Sequence, residues 1–432
     1  MKVVILSGGK GTRLGLNGIP KPMVPVDGVP LLERLVVTAA QAGFTDFILL
    51  SGYLGEVIEA YFGDGSRFGV HIEHVIEQEP MGPAGAVRLI KDRLTEPFLV
   101  IYGDVLMDVD LRHFADFALA KGGLGTLFVH PNDHPHDSDL LEVDETGRIV
   151  RFFSKPHTSD QRLPNVVSAA IYVLYPEAVD YVADGVAADW GRDIFAKIIE
   201  LDPLYAYRSV EYVKDIGTPG RLQKAEGHLR EGRVAGLSRR TLKPAIFVDR
   251  DGVINEERDG VIKADGMKLL PGVAAAIRRV NDAGIPLICV TNQPFLAKGM
   301  LTWPALRTIH AEMDCQIAEE SGGYIDDVFV CPHHPEKGWA GEVAELKIDC
   351  DCRKPKPGLL RQAAEFHAID LTRSWLVGDR YCDVAAAHAA GARSVLVRTG
   401  HNGSDRSAYS VTPDFIADDL SAAIDHILGT LR

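Results

Sequence analysis

The apolar run Ala245-Ile246-Phe247-Val248 ends in Asp249-Arg250-Asp251-Gly252, deep inside the chain. A short run with no polar face reads as a strand covered on both sides, the kind found in parallel sheets flanked by helices. Residues i and i+2 of a strand point the same way, so Asp249 and Asp251 share an orientation. At the carboxyl ends of such strands an α/β sheet opens the crevice that takes ligands. Two carboxylates placed there suit phosphorus chemistry, with Asp249 as the attacking group and Asp251 as the carrier of the proton. The chain opens on a second strand of this type, Val3-Val4-Ile5-Leu6, which runs into Gly8-Gly9-Lys10-Gly11-Thr12-Arg13-Leu14. Gly8, Gly9 and Gly11 let backbone N–H groups approach phosphate oxygens closely, and Thr12 and Arg13 add a hydroxyl and a charge. Leu14 stands where a dinucleotide fingerprint has its third glycine, and the Lys-Ser/Thr ending of a Walker loop is absent. A tight turn chosen for backbone freedom is the competing reading of the glycines alone.

Length bounds the organisation. At 432 residues the chain exceeds the size at which one hydrophobic core keeps growing, so two domains are expected. Short apolar strands (3–6, 47–50, 98–102, 126–129) alternate with helical stretches such as 31–42, which predicts an α/β layered sheet. Around 224–240 the pattern becomes a charged helix, and after Pro244 the cycle restarts. Strands are expected near 245–249, 286–291, 327–331, 374–377 and 394–397, with helices near 273–283, 304–320 and 358–367. The fold class is therefore α/β, as two Rossmann-like layered domains, 1–238 and 239–432. The formal charge of -14 argues against a broad nucleic-acid or anionic-membrane surface. The apolar start is too short for a signal peptide and no later run reaches transmembrane length, which places the protein in the cytoplasm.

All six cysteines lie in the second half. Cys331-Pro332-His333 and Cys350-Asp351-Cys352 together offer three thiolates and an imidazole, a complete tetrahedral set for a structural Zn²⁺, with His334 as an alternative to His333. Cys289, Cys315 and Cys382 have no such pairing and read as small core or helix residues.

The first half resembles the sugar-phosphate nucleotidyltransferase family. Leu6-Ser7-Gly8-Gly9-Lys10-Gly11-Thr12-Arg13-Leu14 followed by Pro20-Lys21-Pro22 carries the resemblance, and four further segments keep its order: Glu79-Pro80-Met81-Gly82-Pro83-Ala84-Gly85, Tyr102-Gly103-Asp104, Ser154-Lys155-Pro156 and Asp215-Ile216-Gly217-Thr218-Pro219. The resemblance implies that Arg13 and Lys21 clamp a nucleoside triphosphate, and that Glu79, Gly82 and Gly85 belong to the base-recognition loop. It also implies that Asp104 and Asp215 hold Mg²⁺ and that Lys155 holds the sugar phosphate.

The second half resembles the haloacid dehalogenase (HAD) phosphatases, through Asp249 to Asn255, Thr291-Asn292-Gln293, Arg353-Lys354-Pro355 and Gly378-Asp379-Arg380-Tyr381-Cys382-Asp383. With the Cys/His loop, it is similar to the D-glycero-D-manno-heptose 1,7-bisphosphate phosphatases, whose nearest neighbours are the histidinol-phosphate phosphatases. The implied roles are Asp249 as nucleophile and Asp251 as general acid and base. Thr291, Arg353 and Lys354 act on the phosphate, and Asn292, Gln293 and Arg380 bind substrate. Mg²⁺ is held by Asp249, Asp251 and Asp379.

Joined, the two resemblances imply one enzyme that clears the 7-phosphate of a heptose bisphosphate and then transfers a nucleotidyl group, GMP from GTP, to the heptose 1-phosphate. Its partners are small molecules, with self-association left open. Competing readings are a hexose 1-phosphate nucleotidyltransferase joined to a histidinol-phosphate-like phosphatase, and a phosphatase carrying a non-catalytic nucleotide-binding module.

Overall fold

The computed structural model describes the chain except for Lys10, Thr12, Arg13, Gly15, Leu16, Asn17, Ser159 and Arg432. It forms two compact units: Met1–His130, Glu145–Lys155 and Val167–Ser238 make the first, and Pro131–Asp144, Pro156–Val166 and Arg239–Arg432 the second. The chain therefore passes for good into the second unit at Arg239, but two short segments of the first half belong to that unit as well. There Arg162 pairs with Glu312 at 3.2 Å, and the Asn165 N–H donates to Asp314 at 3.0 Å. Polar partners so distant in sequence leave no local signal, which is why an uninterrupted 1–238 is all that composition can predict.

In the first unit the strands His71–Ile76, Asp46–Ser51, Val3–Ser7 and Phe98–Tyr102 lie side by side in that order, all parallel. Val3, Val4 and Ile5 are fully buried, as a strand covered on both faces requires. Val167–Leu174 continues the sheet antiparallel, next to Gly125–His130, which pairs with Leu204–Arg208. Strand order reverses between Val3–Ser7 and Phe98–Tyr102, so the crevice beyond their carboxyl ends is a topological switch point. A separate ribbon pairs Val105–Asp108 with Tyr212–Asp215. The charged helix expected around 224–240 is instead Pro219–Arg230 followed by a short Arg233–Gly236, interrupted at Gly232, whose φ of 75° is left-handed.

The second unit is a six-stranded parallel sheet in the order Asp327–Cys331, Leu287–Asn292, Ile246–Val248, Trp375–Gly378, Arg393–Val397, Phe415–Ala417. Numbered along this unit the order is 3-2-1-4-5-6, the doubly wound arrangement, and its switch point falls between Ile246–Val248 and Trp375–Gly378. The expected helices are Val273–Asp282, Trp303–Ser321 and Gly358–His367. The Trp303–Ser321 helix starts where the Thr302 hydroxyl accepts from the Ala305 N–H at 3.3 Å and stops at left-handed Gly322. Two helices unmarked by the apolar pattern, Tyr381–Ala390 and Leu420–Leu431, complete the layers. Among the described residues no helix is long and apolar enough to cross a membrane.

Candidate active sites and metal centre

In the first unit the switch point opens into a cavity of about 260 Å³ lined by Gly8, Gly9, Lys21, Glu77, Gly82, Tyr102 and Asp104, among others. Lys21 begins a short 3-10 turn set by Pro20, and its Nζ lies 2.5 Å from Asp104 Oδ2. The Ile216 N–H donates to the Asp104 carbonyl at 3.0 Å, which brings the end of the Tyr212–Asp215 strand to the same place. Asp215 Oδ1 accepts from Arg221 Nη1 at 2.8 Å and from the Gly217 N–H at 3.1 Å. Lys21, Asp104 and Asp215 thus converge, each carboxylate facing a cation. Thr12 and Arg13 lie outside the described residues. Gly11 has a φ of 62° and its carbonyl accepts from the Leu14 N–H, the turn that a glycine permits.

The residues of the expected base loop are placed differently from one another. Glu79 is exposed and does not line the cavity. Glu77 does, and sequence reasoning missed it because nothing in a Glu-Gln-Glu run says which carboxylate turns inward. Its Oε1 is buried with no hydrogen-bond partner among the described residues. Burial pushes its carboxyl up, against a backbone bond from Met81 that lowers it. A side chain at Gly8 would come within 2.7 Å of Glu77 Oε2, so this glycine makes room for a carboxylate. Gly82 lines the cavity, whereas Gly85 packs where a Cβ would stand 2.9 Å from the Val186 carbonyl and serves packing. Lys155 is exposed just past the strand Ile149–Phe153 and does not line this cavity.

In the second unit Asp249, Asp379 and Asp383 each offer a carboxylate oxygen to one small volume, all within 4.8 Å of one another. Lys354, almost fully buried, stands 2.9 Å from Asp249 and 2.7 Å from Asp383. Three carboxylates against one ammonium leave surplus negative charge in a dry site. Desolvation pushes Asp249 up to about 7 against the pull of Lys354, and pushes Asp379 up to about 8 with repulsion from Asp249 and Asp383 added. Burial works against the Lys354 charge too, but Asp249 and Asp383 outweigh it and hold the ammonium above its ordinary range. Asp379 Oδ1 is buried and unpartnered among the described residues, while Oδ2 accepts from the His401 N–H at 2.6 Å. A hard divalent cation fits this donor set.

The side chain of Asp251, expected as a metal ligand, lies outside that group, and the Asp383 carboxylate is in it. Both Asp251 oxygens are occupied: Arg250 Nη2 donates at 3.0 and 2.9 Å, Asn255 Nδ2 at 3.0 Å and Gln293 Nε2 at 2.9 Å. Burial alone would raise its carboxyl, but the charge of Arg250 and the bonds from Asn255 and Gln293 hold it below the usual range. Gln293 also donates to Thr291 Oγ1 at 2.9 Å, and Asn292 exchanges two bonds of 3.1 Å with the Lys354 backbone. Asn292 and Gln293, expected to touch substrate, thus also tie Lys354, Thr291 and Asp251 together. Arg380 sits at the rim, 3.6 Å from Asp405.

Cys331, His333, Cys350 and Cys352 also come within 4.8 Å of one another. Their sulfurs are 3.2 to 3.6 Å apart and His333 Nδ1 is 3.2 Å from Cys352 Sγ, spacings a tetrahedral metal can bridge. His334 packs edge-on against Trp339 instead, with ring centroids 5.3 Å apart, and is not in the group. Arg353 Nη1 donates to the His333 carbonyl at 3.4 Å, so the loop is joined to the segment that carries Arg353 and Lys354.

Known proteins resemble different stretches of the chain. Residues 2–232 match the Nucleotidyl transferase family and residues 351–423 the HAD-hydrolase-like family. A UTP–glucose-1-phosphate uridylyltransferase from Synechocystis sp. is 32% identical over 308 residues, 67% of this chain and 77% of that protein. A D-glycero-beta-D-manno-heptose-1,7-bisphosphate 7-phosphatase from Salmonella typhi is 41% identical over 158 residues, 36% of this chain and 81% of that protein. The solved structure of HddC from Yersinia pseudotuberculosis complexed with GMP-PN is 25% identical, with a TM-score of 0.46, and covers 53% of this chain and 99% of that one. The chain belongs to the nucleotidyl transferase family through its first half and to the HAD-type heptose-1,7-bisphosphate phosphatase family through its second, a transferase and a hydrolase in one polypeptide.

Proposed function

We propose that residues 239–432 remove the 7-phosphate of D-glycero-D-manno-heptose 1,7-bisphosphate and that residues 1–238 then transfer GMP from GTP to the heptose 1-phosphate, giving GDP-heptose and pyrophosphate. The observation that carries this reading is the pairing itself. The phosphatase relatives act, by name, on the 7-phosphate of a 1,7-bisphosphate, and what remains is a sugar 1-phosphate, the kind of acceptor that a sugar nucleotidyltransferase takes.

In the phosphatase, Asp249 attacks phosphorus, forming the aspartyl-phosphate bond as the bond to the sugar oxygen breaks, and Asp251 protonates that oxygen and then activates water. Lys354, Arg353 and the Thr291 hydroxyl hold the phosphate oxygens, with Arg380 at the rim. Asp249, Asp379 and Asp383 would hold Mg²⁺, which when bound offsets the charge that otherwise repels a phosphate. Cys331, His333, Cys350 and Cys352 would hold Zn²⁺ in a structural role, since all four positions are filled by protein. In the transferase, a sugar-phosphate oxygen attacks the α-phosphorus and pyrophosphate leaves, so positioning and charge stabilisation are the protein's work. Lys21 and Arg13 serve the triphosphate, Asp104 and Asp215 would hold Mg²⁺, and Lys155 the incoming sugar phosphate.

Glu77 supports guanine as the base. A carboxylate only accepts, and guanine presents two adjacent donors, N1–H and the 2-amino group, on its Watson–Crick edge. Uracil presents one N–H between two carbonyls, so a carboxylate there would repel as much as it binds. Supplying heptose 1,7-bisphosphate, Mg²⁺ and each of the four NTPs tests the whole proposal. One orthophosphate and one pyrophosphate are expected per NDP-heptose with GTP, and Glu77→Gln should erode the preference for GTP. Equal or better turnover of UTP by the unaltered protein would replace guanine with uracil.

A further inference from the structure

The Arg250 side chain is fully buried between the two catalytic aspartates, and neither role proposed for them uses it. A guanidinium out of water needs partners for its donors. Toward Asp251, Nε donates to Oδ1 at 3.2 Å and Nη2 to both oxygens, at 3.0 and 2.9 Å. Nη1 points elsewhere and meets Nε2 of His310, on the helix Trp303–Ser321, at 3.3 Å. Arginine has no acceptor, so in this contact His310 Nε2 accepts and the ring carries its proton on Nδ1.

We propose that His310 is a positioning residue of the phosphatase site: by accepting from Nη1 it fixes the plane of the Arg250 guanidinium, and that plane fixes the Asp251 carboxylate relative to the leaving oxygen. The guanidinium is rigid and flat, so holding it at both ends removes the rotation that would swing Asp251. Asn255 and Gln293 complete the clamp from the other sides. The inference rests on Asp251 being the general acid, and it has a signature that a merely structural role lacks. A sugar alkoxide is a poor leaving group and needs its proton, whereas nitrophenolate leaves without one. Misplacing Asp251 must therefore cost the sugar phosphate far more than the aryl phosphate.

The test compares kcat/KM of the full-length protein for a sugar phosphate and for p-nitrophenyl phosphate, a parameter that reports the steps up to phospho-enzyme formation. His310→Leu should lower the sugar-phosphate value about 10-fold or more and the aryl value by less than about twofold. His310→Gln, whose side-chain oxygen can accept the same bond, should recover most of the loss. Should His310→Leu lose its native circular dichroism, His310→Phe, which keeps a ring without the acceptor, takes its place with the same expectations. Equal losses on both substrates, or none, would overturn the proposal. Asp251→Asn measured alongside separates the two ideas. If it too loses equally on both substrates, the acid assignment fails; if it shows the leaving-group dependence and His310→Leu does not, only the role of His310 fails.

Discussion

At the scale of single residues, Asp249 and Asp251 lie two positions apart and have opposite electrostatics. Asp249 is held up to about 7, chiefly by burial and also by the nearby Asp383 and Asp251 carboxylates, against the pull of Lys354, and its ionised form costs the folded protein stability. Asp251 is the only carboxylate bound to the buried charge of Arg250 among the bonds described for it. Removing one partner of such a pair leaves an uncompensated charge, at a cost of about 3 to 5 kcal/mol. Both Asn variants should lose activity on the sugar phosphate, but in metal-free protein at pH 8 Asp249→Asn should melt at or above the unaltered protein and Asp251→Asn well below it. Equal melting temperatures would contradict this electrostatic assignment. Neighbouring carboxylates in the sequence carry no sign of the difference, because it arises from Lys354 and Gln293 closing in from two other segments and from the Arg250 side chain turning onto Asp251.

Strand ends and loops are the elements that gather these charges. Asp249 and Asp379 follow adjacent parallel strands, and both carboxyls lie well above the ordinary value near 4, at about 7 and about 8. The folded, metal-free state therefore binds extra protons. That stability is fully present below the unfolded value and is lost as pH rises through 7 to 8, while Mg²⁺ binds the ionised form that remains. The rise in the melting temperature of the phosphatase unit on adding Mg²⁺ should be small near pH 5.5 and large near pH 8.5, and a shift independent of pH would refute the assignment. The Cys/His loop makes a separate prediction: about one zinc per chain by elemental analysis of protein purified without chelator, the yield of a single four-ligand site. Cys350→Ser should lose that metal and loosen Arg353 and Lys354. A zinc-free preparation, or a Cys350→Ser protein of unchanged stability and activity, would count against it.

For the whole molecule, each unit has its own sheet, switch point and charge cluster, so the two activities should be separable by mutation. Asp249→Asn should abolish phosphate release while transfer to a supplied sugar 1-phosphate stays near normal. Lys21→Ala should lower NDP-sugar formation by about 100-fold or more, the scale of losing a preorganised cation, with phosphate release unaffected. Order is expected as well, since a site shaped for a neutral far end must desolvate an unpaired dianion to accept the bisphosphate. An Asp249→Asn protein that converts the bisphosphate as fast as the monophosphate would refute that order.

The local chemistry of the sequence was sufficient for much of this. Short fully apolar runs bounded by turn residues read as covered strands, Asp249 and Asp251 at the end of one read as opening into the crevice, and three cysteines with a neighbouring histidine at zinc spacing offered a tetrahedral set. Periodicity also placed three helices of the second unit close to their observed bounds. Long-range packing decided the rest. The inward turn of Glu77 rather than Glu79 depends on glycines at 8 and 52 that approach from two other strand ends. The replacement of Asp251 by Asp383 in the acidic cluster depends on Arg250, Asn255 and Gln293 occupying both Asp251 oxygens first. The choice of His333 over His334 depends on Trp339 taking the second ring. In each case residues of the same type compete, local propensity treats them alike, and only the partners that the fold brings together separate them.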